Sequence, residues 1–253
     1  MAAQVNHPSF LQPLDPDVPL WRYMDLSKFA DLLQRRSLAF PRADRLGDPF
    51  EGSVPVSNAL HIPRVIEARQ NGNSTDPYQT LDDETLLDMA QQVSDARRQM
   101  IKSSYVSCWH MNEHESLAMW KVYSASDEAV CIRTSYRTLT ELLPDNCFIG
   151  QVSYINYNAH QIPYNSLFAP LVHKRMSFSS EREARAIICD GVGLGQDLDE
   201  IKYVAVDLGQ LVDRIFISPD APDWFLDVVK GLAKTYDLTA PIERSELSAS
   251  PLF

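Results

Sequence analysis

The sequence predicts one α+β domain with a mixed or antiparallel central sheet and a helical insertion. Strand-like and helix-like segments are interspersed along the 253 residues, without the strict alternation that a doubly wound parallel sheet requires. The composition, 45% hydrophobic and 23% charged, is that of a globular protein and excludes disordered or coiled-coil classes. No apolar run approaches the ~20 residues of a membrane span.

The composition of the terminal segments predicts where the domain begins and ends. Residues 1–19 hold four prolines and little apolar periodicity, so we expect an extended arm. The domain is predicted over 20–247 and a C-terminal tail over 248–253. The first ten residues lack a charged region followed by an apolar core, which predicts a cytoplasmic protein without a secretory signal.

The elements of the first half follow from local patterns. Large apolar residues predict a first strand at 20–24, and Ser27 is a candidate N-cap for the helix whose apolar stripe spans 29–33. A short strand at 37–40 and a glycine-bounded loop at 44–52 come next. Helical periodicity in two pieces predicts the insertion at 58–101, broken by a loop at 71–77.

The second half alternates short strands with short helices. The predicted strands are 105–109, 129–132, 148–157, 184–189, 203–207 and 214–218. The predicted helices are 117–123, 139–143 and 224–236, with irregular chain at 158–178 and a glycine turn at 191–195.

The net charge of −11 disfavours extensive non-specific binding of nucleic acid, because an acidic surface repels phosphates. It leaves open a nucleotide or another small molecule in a local basic cleft. We expect no metal site. None of the four cysteines lies in a Cys-x-x-Cys pair, and His110 and His114 have no third ligand at an expected interval.

The segment Glu181-Arg182-Glu183-Ala184-Arg185 enters an apolar strand. Period-two alternation predicts that Glu181, Glu183 and Arg185 share one face. One interpretation is a solvated salt-bridge ladder. The other is a catalytic pair, in which one carboxylate stabilises an oxocarbenium-like sugar and the other activates a nucleophile.

Arg22 lies within an otherwise apolar strand and therefore needs partners. It is expected either to pair with a carboxylate such as Asp48 or Glu51, or to bind a phosphate, for which its planar fork is suited. Asp48 and Glu51 themselves are predicted to shape a turn or to line a cleft.

Several segments together carry a family resemblance over residues 20–247. They are Leu20-Trp21-Arg22-Tyr23, Asp48-Pro49-Phe50-Glu51, Ser107-Cys108-Trp109, Met119-Trp120-Lys121-Val122-Tyr123, Lys174, Glu181-Arg182-Glu183-Ala184-Arg185 and Ile217-Ser218-Pro219. In this order they resemble the bacterial "domain of unknown function 2971" family. Phe178 stands where that resemblance leads us to expect tryptophan, and the family name implies no activity.

A second resemblance is to mono-ADP-ribosyltransferases, which carry an Arg on the first strand, a Ser on a central strand and Glu-x-Glu entering a late strand. Arg22, Ser107 and Glu181/Glu183 occur in that order. Ser-Cys-Trp replaces the usual Ser-Thr-Ser, and the long interval from Arg22 to Ser107 requires the insertion. A split central sheet is implied.

This resemblance implies NAD as a substrate. Arg22 would bind its pyrophosphate or ribose, and Ser107 would support both the NAD site and the catalytic glutamate. Glu183 would bind the nicotinamide ribose and stabilise the oxocarbenium ion, while Glu181 would orient the acceptor, whether protein or nucleic acid. The predicted function is therefore an NAD-consuming ADP-ribosyltransferase-like enzyme.

Two alternatives remain open at this point. One is a metal-dependent nuclease or phosphodiesterase that uses Asp48, Glu51, Glu181 and Glu183, because two-metal chemistry needs convergent carboxylates. The other is a non-catalytic interaction domain, in which Arg22 pairs with a carboxylate and has no open cleft beside it.

Overall fold

A seven-stranded mixed sheet organises the protein in a computed structural model that describes residues 2–72, 78–124, 126–190, 198–249 and 251. The predicted α+β fold with a mixed central sheet is confirmed. No helix of the described residues is long and apolar enough to cross a membrane.

The strands are β1 (Pro19–Asp25), β2 (Ser37–Pro41), β3 (Ser104–Met111), β4 (Ala129–Ser135), β5 (Cys147–Gln151), β6 (Ser153–Ile155), β7 (His173–Arg175), β8 (Glu183–Cys189), β9 (Ile201–Ala205), β10 (Arg214–Ile217) and β11 (Ile242–Arg244). The α-helices are α1 (Leu26–Arg35), α2 (Val56–Ala59), α3 (His61–Gln70), α4 (Asp83–Ser103), α5 (Leu117–Tyr123), α6 (Tyr136–Leu142), α7 (Leu208–Leu211) and α8 (Asp223–Thr235).

The strand order in the large sheet is β11-β10-β4-β1-β3-β8-β5. Every neighbouring pair is antiparallel except β10 with β11. β2 with β9 and β6 with β7 form two small sheets that are not part of it. The long excursion from β2 to β3 carries α2, α3 and α4, in the region where the helical insertion is predicted.

The pairing between β1 and β3, at the centre of the sheet, is short. β1 pairs with β4 through seven residue pairs, and β3 pairs with β8 through seven. Between β1 and β3 there are only two pairs, Leu20 with Met111 and Trp21 with His110. The two halves of the sheet therefore part beyond Trp21, and the opening becomes one end of a cleft.

The N-terminal arm packs along β5 rather than standing free. The backbone of Gln4 forms an isolated β-bridge with Phe148, and Phe10, 3% exposed, stacks on the Phe148 ring. Gly150 permits this approach, because a Cβ there would lie 2.8 Å from the Cβ of Phe10.

Some local predictions were wrong. Helix α1 is capped by Asp25, whose carboxylate accepts from the Lys28 N–H; the hydroxyl of Ser27, the predicted cap, donates to that carboxylate. The single strand predicted at 148–157 is two strands, because Val152 leaves the large sheet. Strand β11 was not predicted.

Two predicted connections lie wholly or partly outside the described residues. The glycine turn at 191–195 is outside them entirely. Of the loop at 71–77, only residues 71 and 72 are described.

Candidate functional site

A cleft of about 890 Å³ opens where β1 and β3 part. Its lining residues come from β1, α1, β2, β3, α5 and β9, from the loop before α2 and from the 174–185 segment. The volume falls within the range of about 300–1,000 Å³ that is usual for small-molecule and cofactor sites.

Arg22 lies in the cleft, and none of the described carboxylates pairs with it. Its guanidinium donates to Ser107 Oγ at 3.1 Å and to the Ala39 carbonyl at 2.9 Å, and it lies 5.5 Å from the Trp109 ring centroid. Burial lowers the pKa of Arg22 to about 10, so it stays charged at neutral pH. The expected ion pair with Asp48 or Glu51 was wrong, because both of those carboxylates bind other arginines.

Ser107 is fully buried and contacts Arg22 rather than a glutamate. Its Oγ accepts from Arg22 and, at 3.1 Å, from Trp109 Nε1. Ser107 is paired with Ala186, so it points to the face of the sheet opposite Glu183 and Arg185. Its expected support of the catalytic glutamate was wrong for this geometric reason; it orients Arg22 instead.

Glu183 and Arg185 form the centre of a buried charge network. Arg185 Nε donates to Glu183 Oε1 at 2.8 Å, and Arg185 Nη2 donates to Glu51 Oε2 at 2.8 Å. Lys174 Nζ reaches Glu183 Oε2 at 3.2 Å. Burial opposes the charge on Glu183, but Arg185 and Lys174 outweigh it and lower the pKa of Glu183 to about 2.

Glu181 joins the network from outside the strand. It ends a 3₁₀-helix at 176–181 and is separated from β8 by Arg182, which has a positive φ of 41°. Glu181 was predicted to share the strand face of Glu183, but it reaches the network through a direct bond from Lys174. Burial outweighs Lys174 and raises the pKa of Glu181.

The glycine-bounded loop contributes two further anchored carboxylates. Glu51 binds Arg185, and Asp48 binds Arg175 at 3.0 Å. Asp48 also accepts from the Phe50 N–H, so it shapes the turn as well as lining the cleft. Both predicted roles of this loop, turn and cleft wall, are therefore present.

The charges of the cleft are unevenly distributed. Glu51, Glu181 and Glu183 surround two cations, Lys174 and Arg185, which leaves this cluster with one net negative charge. Arg22, which no carboxylate of the described residues compensates, supplies a positive charge on another part of the same cleft. A ligand that carries both an anionic group and a cationic centre is complementary to this pattern.

Aromatic side chains line the cleft between and around these charges. Trp109 is 1% exposed and fixed by Ser107, whereas Tyr123 and Tyr203 are 41% and 38% exposed. Phe178 lies with its ring centroid 5.1 Å from Lys174 Nζ. The exposed rings of Tyr123 and Tyr203 offer surfaces on which a planar heterocycle can stack.

Of the four residues predicted to converge, Arg22, Glu181 and Glu183 line one cleft, and Ser107 lies behind Arg22. Sequence reasoning missed the role of Lys174, which bridges both glutamates from a strand that was predicted to be irregular chain. A lysine in a short polar segment carries no signal of burial, so only the fold reveals it.

The described residues contain no group of three or more His, Cys, Asp or Glu side chains arranged to hold a metal ion. Comparison of the chain with protein-family models, with curated proteins and with solved structures gave no match. Both family resemblances therefore remain predictions.

Proposed function

We propose that this protein binds NAD in the cleft and transfers its ADP-ribose group to an acceptor. The observation that carries the proposal is the pairing, in one cleft, of an uncompensated arginine with a buried carboxylate cluster of net negative charge. NAD has the complementary pattern, with an anionic pyrophosphate and a cationic nicotinamide ring.

Arg22 is the residue proposed to bind the pyrophosphate. A guanidinium has five N–H donors, and two groups, Ser107 and the Ala39 carbonyl, accept from Arg22. No other acceptor for Arg22 occurs among the described residues, so its remaining donors are proposed to bind phosphate oxygens while Ser107 holds the guanidinium in position. Charge-assisted hydrogen bonds from arginine to phosphate are among the stronger ones in proteins.

Glu183 is the residue proposed to stabilise the sugar as the nicotinamide bond breaks. That bond breaks through a cationic ribose, and a preorganised negative charge beside it lowers the barrier. With a pKa of about 2, Glu183 is ionised at neutral pH. Lys174 and Arg185 hold it in place, so the carboxylate needs no reorganisation during the reaction.

Neighbouring strands support the same proposal. Arg22, Ser107 and Glu183 come from β1, β3 and β8, which are consecutive neighbours in the sheet although Arg22 and Ser107 are 85 residues apart in sequence. The resemblance to mono-ADP-ribosyltransferases requires these three strands to be neighbours, and Arg22 and Glu183 line the same cleft. A cytoplasmic location belongs to the proposal and is supported by four free thiols, because disulfides are rare in that compartment.

Metal-dependent hydrolysis is less well supported. Asp48, Glu51, Glu181 and Glu183 each already have a lysine or arginine partner. A carboxylate bound by a cation must lose that partner before it can ligate a metal. The interaction-domain alternative required Arg22 to pair with a carboxylate and to have no cleft beside it. Instead, Arg22 donates to Ser107 and to the Ala39 carbonyl, and it lines the cleft.

The test is NAD binding measured by thermal unfolding, with nicotinamide release as the activity readout. Millimolar NAD should raise the Tm of the wild type by mass action, by the equivalent of about 2.7 kcal/mol at a concentration 100 times Kd. Arg22→Met should abolish this shift. Arg98→Met, at an exposed arginine of α4 outside the cleft, is the matched control and should keep it.

An absence of any NAD-dependent shift in the wild type would refute the proposal. An equal shift in Arg22→Met would refute the role of Arg22. Parallel titrations with ADP-ribose and with nicotinamide distinguish the two halves of the ligand, since only ADP-ribose should depend on Arg22.

A further inference from the structure

His110 occupies a particular position at the closed end of the opening between β1 and β3. It is paired across the sheet with Trp21 on one side and with Glu183 on the other, at the last rung before the strands part. His110 lines the same cleft as Arg22, and it is 6% exposed. The proposed function assigns it no role.

The hydrogen bonding of His110 fixes which ring nitrogen carries the proton. Nδ1 lies 2.6 Å from the backbone carbonyl oxygen of Glu181. A carbonyl can only accept, so Nδ1 must donate its N–H. In a neutral ring Nε2 is then an acceptor.

Nε2 is buried and has no hydrogen-bond partner in the described part of the chain. An unpaired buried acceptor costs about 1–3 kcal/mol and calls for an explanation. Burial, with a smaller contribution from Arg182, lowers the pKa of His110 although the Glu181 carbonyl opposes this. The ring is therefore neutral at pH 7, and the histidine that carries this unpaired acceptor is one of the residues that line the cleft.

We propose that His110 Nε2 accepts the proton of the attacking group, and that this group is a hydroxyl, either water or an alcohol. The inference rests on the proposed NAD chemistry. The hydroxyl oxygen forms its bond to C1′ of the ribose as the C1′–N bond breaks, and that bonding pair leaves with nicotinamide. The hydroxyl proton passes to Nε2.

A neutral hydroxyl fits the site better than a cationic acceptor does. A cationic nucleophile would need an unpaired carboxylate, but Glu181 and Glu183 are both bound by Lys174. Glu181 was expected to orient the acceptor directly. Here its carboxylate is occupied, and its backbone carbonyl instead orients the imidazole that would take the proton.

The experiment compares two matched substitutions. His110→Asn keeps an N–H donor near the position of Nδ1 for the Glu181 carbonyl but removes Nε2. His114→Asn makes the same change at an exposed histidine four residues away. Nicotinamide release is measured with water as acceptor, and NAD affinity is measured by thermal shift.

His110→Asn should lower nicotinamide release by about 10²-fold or more, the usual contribution of a general base, with NAD affinity unchanged within about twofold. His114→Asn should release nicotinamide as the wild type does. Wild-type turnover in His110→Asn overturns this inference and leaves the proposed function standing. Absence of NAD binding in the wild type removes both.

A measurement on the wild type decides the matter if His110→Asn does not fold. The ¹⁵N resonances of histidine-labelled protein report which ring nitrogen is protonated. At pH 7 we expect a proton on Nδ1 of His110 and none on Nε2. A protonated Nε2 would overturn the role of His110 whatever NAD does.

Discussion

The clearest quantitative consequence of the buried network concerns Glu183→Gln. From the sequence alone, a catalytic role for Glu183 predicts that this substitution abolishes NAD turnover and leaves the Tm nearly unchanged. In the structure Glu183 is buried and binds both Arg185 and Lys174, which lower its pKa from 4.5 to about 2. That difference corresponds to about 3 kcal/mol of stability at neutral pH.

The sign of the pH dependence follows from the direction of the shift. A carboxyl with a depressed pKa in the folded state contributes stability above its unfolded pKa, and loses it as the pH falls toward its folded pKa. The contribution of Glu183 should therefore be complete at pH 7 and reduced to about 1 kcal/mol at pH 3. Glutamine does not titrate, so Glu183→Gln should lack this component.

The assay is urea unfolding of wild type and Glu183→Gln at both pH values. The difference in unfolding free energy should be at most about 3 kcal/mol at pH 7, since Lys174 keeps Glu181 and Arg185 keeps Glu51. At pH 3 it should be roughly half or less. Glu113→Gln, at an exposed glutamate, is the control and should change little. A difference that does not vary with pH would refute the reasoning.

Three other substitutions probe different parts of the fold. Arg185→Met should destabilise the protein by about 3–5 kcal/mol in chemical denaturation, because it leaves the buried carboxylate of Glu51 without its cation; a loss below about 1 kcal/mol would contradict this. Gly150→Ala should cost about 1–3 kcal/mol by thermal unfolding and make the arm more sensitive to protease, because its Cβ would collide with Phe10; unchanged protection would count against that packing. Arg22→Met should keep stability within about 1 kcal/mol of the wild type, because it replaces a partly buried charge that no described carboxylate pairs with by an apolar chain; a severe loss of stability would mean that Arg22 is structural.

Local chemistry was enough to predict most of the elements and the fold class. β1, β3 and β8 are interior strands of the sheet, and a short apolar run bounded by turn signals is typical of a strand that is buried on both faces. Charges placed inside or at the entry of such strands, Arg22 and Glu183, were identified as candidates because burial makes an unpaired charge costly. Both features are visible in the local sequence and do not depend on which residues lie nearby in the fold.

The partners of those charges could not be deduced, because pairing depends on residues far apart in sequence. Arg22 bonds Ser107, 85 residues away, and Arg185 bonds Glu51, 134 residues away. Asp48 and Glu51 were the candidate partners of Arg22 in the sequence. In the fold, each of them binds another arginine. Strand pairing also separates Ser107 from Glu183, because the register of β3 with β8 places their side chains on opposite faces of the sheet.

The cleft itself is the feature that only the tertiary structure determined. It exists because β1 and β3 pair at two positions and then separate, so that side chains from both faces of the sheet line one space. The unpaired Nε2 of His110 also depends on the tertiary structure, because the backbone carbonyl of Glu181 binds Nδ1 of the same ring. Periodicity along a strand predicts which way a side chain points, but where two strands part depends on what packs on each half of the sheet.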